Sequence, residues 1–382
     1  MRPLSWRDAK VRAAVLLAAA LVISAWTGKI FLDMHEPEPI VAGPGVTEQK
    51  MLSDYGSAVG AGDTPVYILE GEEPGGTLLL IGGTHPQEVS GLLTAVLVIE
   101  NVRVKQGRIV VIPQANRSGF THTDPLEGFP HKFEIETPHG VRWFRLGMRL
   151  ANPVHQWPDP DLFVHRPSGE RMVGSEARNL NRNHPGRARG RFVERIAFAI
   201  AQVIRKEGVK IVLDTHEAYP EYPVINMLVA HEGAFDVGAF AVANLQERDI
   251  QIDLMASPKR LHGLSHREFG DHLGVRALLV ETANPAMGRL RGRTDERLVV
   301  EGRDDNYVRA AKLDRLFVPF TAEGHPLSGR VARNMATLEE ILSAYNEFEP
   351  DSPIIVEGLP SYDAVREQGL GPFLLPVPAA SR

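Results

Sequence analysis

An α/β fold with a mixed, mostly parallel central sheet flanked by helices is the class the sequence predicts. Three observations point to it: short uninterrupted apolar runs of strand length, segments of helical apolar rhythm between them, and the alternation of the two along the chain. A chain of 382 residues can build one such domain of about 300 residues with appendages.

In chain order, Arg2, Arg7, Lys10 and Arg12 precede an apolar stretch over 13–32 that is broken only by Lys29. A basic flank followed by an apolar segment is the order of a signal anchor or a secretory signal. A membrane span needs roughly 20 apolar residues, which 13–32 supplies if Lys29 reaches the interface. Residues 1–35 are therefore expected to anchor the chain in a membrane, or to be cleaved near Ser24-Ala25-Trp26 and release it. Either way the basic flank stays cytoplasmic and the domain lies on the extracytoplasmic side. Residues 36–65, rich in Pro, Gly and acidic residues, read as a linker.

The domain is expected over 66–348. Residues 77–81 (TLLLI) form an apolar run closed by two glycines, 87–101 carry a helical rhythm, and 108–112 (RIVVI) end at Pro113. Strand, helix, strand is the unit of a parallel sheet. Residues 116–190 are crowded with Pro, Gly, His and Arg and lack clean periodicity, which is how long functional loops read. Regularity resumes with a helix over 191–207, strands over 209–214 and 224–230, a helix over 264–273, a strand over 277–280 and a last helix over 337–348. The tail, 349–382, reads as irregular.

Composition narrows the chemistry. With 48 acidic against 42 basic side chains and no long run of either sign, nothing supports nucleic-acid binding. Cysteine is absent, which excludes disulfides, thiolate metal sites and a thiol nucleophile, so a metal would have to sit on His and carboxylate.

Three polar groups then stand at the carboxyl ends of three expected strands, where open α/β sheets place their ligands. His85 and Glu88 follow TLLLI, Asp214-Thr215-His216 ends the strand over 209–214, and Glu281 follows ALLV. Two His and one carboxylate are a catalytic zinc set that leaves a position open for water, and a nearby carboxylate serves as general base. His85, Glu88 and His216 fill the first role and Glu281 the second. Each feature alone is more often a solvated surface group or a helix cap. Together, charged groups abutting buried strands are costly unless paired or bound to metal. Asn181 and Arg182, within Asn179–Gly186, offer amide and guanidinium donors suited to a carboxylate.

This order of motifs resembles the zinc carboxypeptidase superfamily, and within it the aspartoacylase and succinylglutamate desuccinylase branch. The likeness rests on His85-x-x-Glu88, Leu180-Asn181-Arg182 with Pro185-Gly186, Asp214-x-His216, Glu281, and Ile112-Pro113 followed by Asn116, over about 66–281. The resemblance implies one zinc per chain on His85, Glu88 and His216, with Glu281 activating water and Asn181 and Arg182 gripping a substrate carboxylate. It also implies an arginine that polarises the scissile carbonyl, for which Arg171 is preferred over Arg178. The expected activity is deacylation of small N-acyl amino compounds. A carboxypeptidase acting on short or cell-wall peptides is the alternative, and a non-catalytic binding module the second alternative. Two departures stand out. Pro86 occupies a position that is usually glycine, and no one of Tyr219, Tyr222 and Tyr307 can be singled out to close the site.

Overall fold

The apolar runs expected to be strands form the middle of a nine-stranded mixed sheet. The computed structural model describes residues 9–56, 59–123 and 129–378; Arg2 and Arg7 of the basic flank lie outside them. The chain divides into residues 1–38 and 39–382. In the first unit, helix α1 (Ala9–Asp33) is long and apolar enough to cross a membrane. Its Lys29 pairs with Asp33 one turn on, at 2.8 Å.

The second unit contains strands β1 (Glu48–Met51), β2 (Pro65–Glu70) and β3 (Glu73–Ile81), helix α2 (Val89–Asn101) and β4 (Arg103–Ile112). Two hairpins follow, β5 (Lys132–Thr137) with β6 (Gly140–Arg145), and β7 (Leu162–Val164) with β8 (Arg171–Val173). Then come α3 (Phe192–Lys206), β9 (Ile211–Ala218), β10 (Met227–Ala230), α4 (Phe235–Glu247), β11 (Asp253–Ala256), α5 (Ser265–Leu273) and β12 (Arg276–Ala283). The chain ends in α6 (Glu296–Glu301), α7 (Asp305–Ala311), α8 (Leu327–Phe348), β13 (Ile355–Glu357) and α9 (Tyr362–Gln368). The sheet order is β1-β2-β4-β3-β9-β12-β10-β11, with β13 also on β4. The inner strands β4, β3, β9 and β12 run parallel, and β1, β2, β10 and β13 join antiparallel.

Alternate side chains enter different layers, as the strand period of two requires. Leu78 and Leu80 pack with α2, α4 and α8 on one face, whereas Leu79 and Ile81 pack with α3 and Phe269 of α5 on the other. Both faces of the inner strands are covered, which is why their sequences are continuously apolar. Helix α2 is buried along almost its whole length. It crosses β9 closely because Gly91 has no side chain: a Cβ there would stand 2.6 Å from the Thr215 carbonyl oxygen. That close approach brings Glu88, which caps the helix, to the carboxyl end of β9.

Two boundaries differ from those expected. The fold begins well before residue 66: β1 belongs to the sheet, Leu52, Tyr55 and Val59 are buried in the α3 layer, and the Gly43 amide donates to the Ile99 carbonyl. The segment is polar and short of periodicity because β1 is an edge strand with little burial. The tail is likewise not all irregular, since it contains β13 and α9. Both ends are tied by one ion pair. Arg142 of β6 grips Glu100 of α2 with two hydrogen bonds, of 2.9 and 3.1 Å. The same carboxylate accepts from the amides of Val41 and Leu375, and the guanidinium donates to the carbonyls of Pro39 and Leu375.

Candidate metal centre and active site

The turn after β3 delivers His85. Gly82 and Gly83 form it, and Gly83 has φ +64°, a backbone conformation that side chains disfavour. Pro86 packs beside Gly119 and Gly147, where Cβ atoms would come within 2.8 and 2.6 Å of its ring. His216 and Glu281 are direct neighbours in the parallel β9–β12 pairing, so their side chains emerge side by side.

The three expected ligands converge. His85 Nδ1 lies 2.7 Å from Glu88 Oε1, His216 Nδ1 lies 2.8 Å from Glu88 Oε2, and the two Nδ1 atoms are 3.2 Å apart. Two nitrogens bound to one tetrahedral zinc at 2.0–2.1 Å stand about 3.3 Å apart, so the donor set fits that ion. The outer nitrogens are also provided for. His85 Nε2 donates to Asn179 Oδ1 at 3.0 Å, and His216 Nε2 stands 3.0 Å from Asp214 Oδ2. For His85 the bond on Nε2 sets the tautomer that leaves Nδ1 free to ligate, whereas for His216 the Asp214 carboxylate stands at ion-pair distance from Nε2. Asp214 is held in turn by the hydroxyls of Thr84 and Ser265, at 2.9 and 2.5 Å. The Glu217 amide donates to Glu88 Oε2 at 3.1 Å.

Burial sets the charge states, and neighbours correct them. Burial pushes the Glu88 carboxyl up, but the two imidazoles more than offset it and hold it well below the usual carboxylate range. Burial and Arg149 lower His85 to about 4. His216 is raised despite burial, because Asp214 and Glu88 favour its cation. Burial raises Glu281 to about 8, against the pull of His216. Among the described residues its buried Oε2 has no hydrogen-bond partner, an arrangement that a structural carboxylate rarely adopts and a proton acceptor needs.

His85, Glu88 and Glu281 line a cavity of about 470 Å³, together with Asn181, Arg182, Arg149, Arg289, Tyr219, Tyr222 and several apolar residues. Asn181 Oδ1 accepts from the Ser265 amide at 2.8 Å, and the Arg182 Nη1 donates to the Asn181 carbonyl at 2.6 Å. Arg171 does not reach this cavity. It is exposed on the β7–β8 hairpin, opposite Val164. Arg178 is bound to Asp159 at 2.8 Å. The arginine that does face the ligands is Arg149, whose Nη1 is 3.2 Å from His85 Nδ1 and 3.5 Å from Glu88 Oε1. It follows β6, and spacing from Asn181 could not reveal it. Tyr307 lies apart, buried and donating to Glu221 at 2.6 Å. A second grouping, His165, His262 and Glu268, is a hydrogen-bond network: the His165 ring already bonds Ser168 and the His184 carbonyl.

The chain is similar to aspartoacylase-family and carboxypeptidase structures. An aspartoacylase family protein from Mesorhizobium loti is 21% identical over 58% of this chain and 56% of its own, with a TM-score of 0.36. A metallo-carboxypeptidase from Burkholderia cenocepacia is 13% identical over 84% of this chain and 68% of its own, with a TM-score of 0.45. A tripeptide-bound cell shape determinant protein from Helicobacter pylori is 12% identical over 79% and 59%, with a TM-score of 0.44. The chain thus spans little more than half the length of the aspartoacylase-family structure it matches. No family model and no curated protein matches it. At such distances the likeness assigns no residue its role, and the reading of the site rests on its geometry.

Proposed function

We propose that this chain is a zinc-dependent amidohydrolase that cleaves an amide bond next to a free carboxylate. The observation that carries the reading is the convergence of His85, Glu88 and His216 beside the buried Glu281 carboxylate, whose Oε2 has no hydrogen-bond partner among the described residues. Zinc bound there would polarise the scissile carbonyl and lower the pKa of water. Glu281 takes the proton from the attacking water and returns it to the leaving amine. Arg149 faces the carbonyl oxygen as negative charge builds on it, and Asn181 with Arg182 holds the substrate carboxylate. N-acyl amino acids are the substrate class that meets these requirements with least bulk. A short peptide cut at its last residue is the second reading. It is favoured by the exposure of Arg149 and Arg182, 36% and 26%, which lets a longer acyl portion extend into solvent.

Metal analysis tests the reading. About one zinc per chain is expected, and His85→Ala or His216→Ala should abolish it. Because the raised His216 must lose its proton to ligate, affinity should weaken as pH falls, with proton release on binding. Calorimetry in buffers of different ionisation heat reads that proton, and a metal-free protein at every pH would end the proposal.

Arg149→Met should lower kcat roughly 10²–10³-fold, as loss of an oxyanion donor does. Arg171→Met should leave kcat and KM unchanged, and steady-state kinetics that reverse this order would restore Arg171.

Helix α1 is proposed to anchor the domain outside the membrane, oriented by the basic residues around Lys10 and Arg12. Protease added to the extracytoplasmic face should then digest the domain, and complete protection would invert the orientation.

A further inference from the structure

The catalytic row of the sheet has a second row directly beside it. On β12, Leu279 lies two residues before Glu281 and so faces the same side. Leu279 is paired across to Val229 of β10, and Val229 to Met255 of β11. Three adjacent strands thus lay an apolar floor that begins where the catalytic carboxylate ends. Leu264 adds to its wall, and all four residues line the same cavity as His85, Glu88 and Glu281.

A polar side chain lines the same cavity two residues after Leu264. His266 of α5 is 4% exposed and lines the cavity. Its Nδ1 shares a 2.8 Å hydrogen bond with the Ser257 hydroxyl, while no described group bonds Nε2. Burial first, and then the neighbouring His216, keep the ring uncharged down to about pH 3. A neutral imidazole can either donate or accept through Nε2, because the Ser257 hydroxyl can turn to suit both tautomers.

Resting on the amidohydrolase reading, we propose that His266 determines specificity: the side chain on the leaving amine is apolar along its length and ends in a neutral hydrogen-bonding group, as a phenol does. A charged side chain laid on the floor of Leu279, Val229, Met255 and Leu264 would lose its hydration there, since none of these four carries a counter-charge. A purely apolar ring would fill the floor but leave Nε2 buried and unbonded. The cost of that unmet hydrogen bond is what separates the two ligands.

The experiment compares N-acetyl-L-tyrosine, N-acetyl-L-phenylalanine and N-acetyl-L-aspartate with the full-length zinc-loaded protein. For the wild type, kcat/KM for the tyrosine compound should exceed that for phenylalanine by roughly tenfold, with aspartate last. His266→Leu should bring the tyrosine-to-phenylalanine ratio to about one while keeping turnover of the phenylalanine compound, which controls for folding. His266→Gln, which retains a hydrogen-bonding end, should keep part of the preference. Equal rates in the wild type, a preference for aspartate, or a ratio unchanged in His266→Leu would each overturn the inference. Should His266→Leu lose all turnover, His266→Gln decides: a retained preference supports the role and a lost one removes it. Calorimetric binding of the same three ligands reads the preference without turnover. Selective binding without hydrolysis would sink the amidohydrolase reading alone, and absence of binding by any of them would overturn the inference.

Discussion

Glu281→Gln should reduce turnover by roughly 10²–10⁴-fold while leaving zinc in place, the loss expected when a general base is removed and nothing else changes. The substitution keeps the size of the side chain and its place beside His216 on β12. It removes only the ability to accept a proton. The pH profile adds a second readout. Without metal, burial holds the Glu281 proton up to about pH 8, and a dication alongside favours the ionised form. The base works only when ionised, so kcat/KM should rise with pH along a limb that lies below 8. That limb should vanish in the glutamine variant. Glu88→Gln makes the contrast, because it replaces the anionic ligand shared by both imidazoles with a neutral one. Zinc content and turnover should then fall together. Should Glu281→Gln lose its metal, or turn over near normally with metal bound, Glu281 is not the base.

Arg142→Met should destabilise the domain by about 3–5 kcal/mol, the usual effect of removing one partner of a buried ion pair. Glu100 is fully buried and Arg142 is 3% exposed, so the stranded carboxylate could not find water. It would keep the amides of Val41 and Leu375 but lose its counter-charge. Because the pair joins residues 39–41, helix α2, the β5–β6 hairpin and the end of the chain, loosening should spread to both termini of the second unit. Chemical denaturation reads the loss of stability, and hydrogen exchange at Val41 and Leu375 reads its place. A change below about 1 kcal/mol would show that the neighbouring backbone groups alone satisfy the carboxylate.

The parts of the site legible in the sequence share one property. His85, Glu88, His216 and Glu281 each sit within a few residues of a continuously apolar strand, and burying such groups without a use for them is costly. The sheet's inner strands were legible for the same reason, since burial on both faces leaves no room for polar residues. Arg149 was not, and Arg171 was preferred in its place, because in an irregular segment distance along the chain says little about distance in space. Arg149 is placed by the packing of Gly119 and Gly147 on Pro86, a contact between segments about 30 and 60 residues apart in the chain. Strand β1 and the β13–α9 tail escaped notice because edge elements carry neither a long apolar run nor a clear period.

By itself, then, the sequence determined the fold class, the order of the inner elements and the grouping of His85, Glu88 and His216 beside Glu281. These follow from local patterns, the apolar period and the polar residue that ends it. The tertiary structure alone decided which arginine faces the ligands, and that Asn179 and Asp214 orient the two imidazoles. It also decided that one Glu100–Arg142 pair closes both ends of the domain, and that His266 lines the same cavity as the apolar floor. Each of these is a contact between residues remote in the chain, and its energy depends on how closely two packed surfaces approach, which no local pattern of side chains encodes.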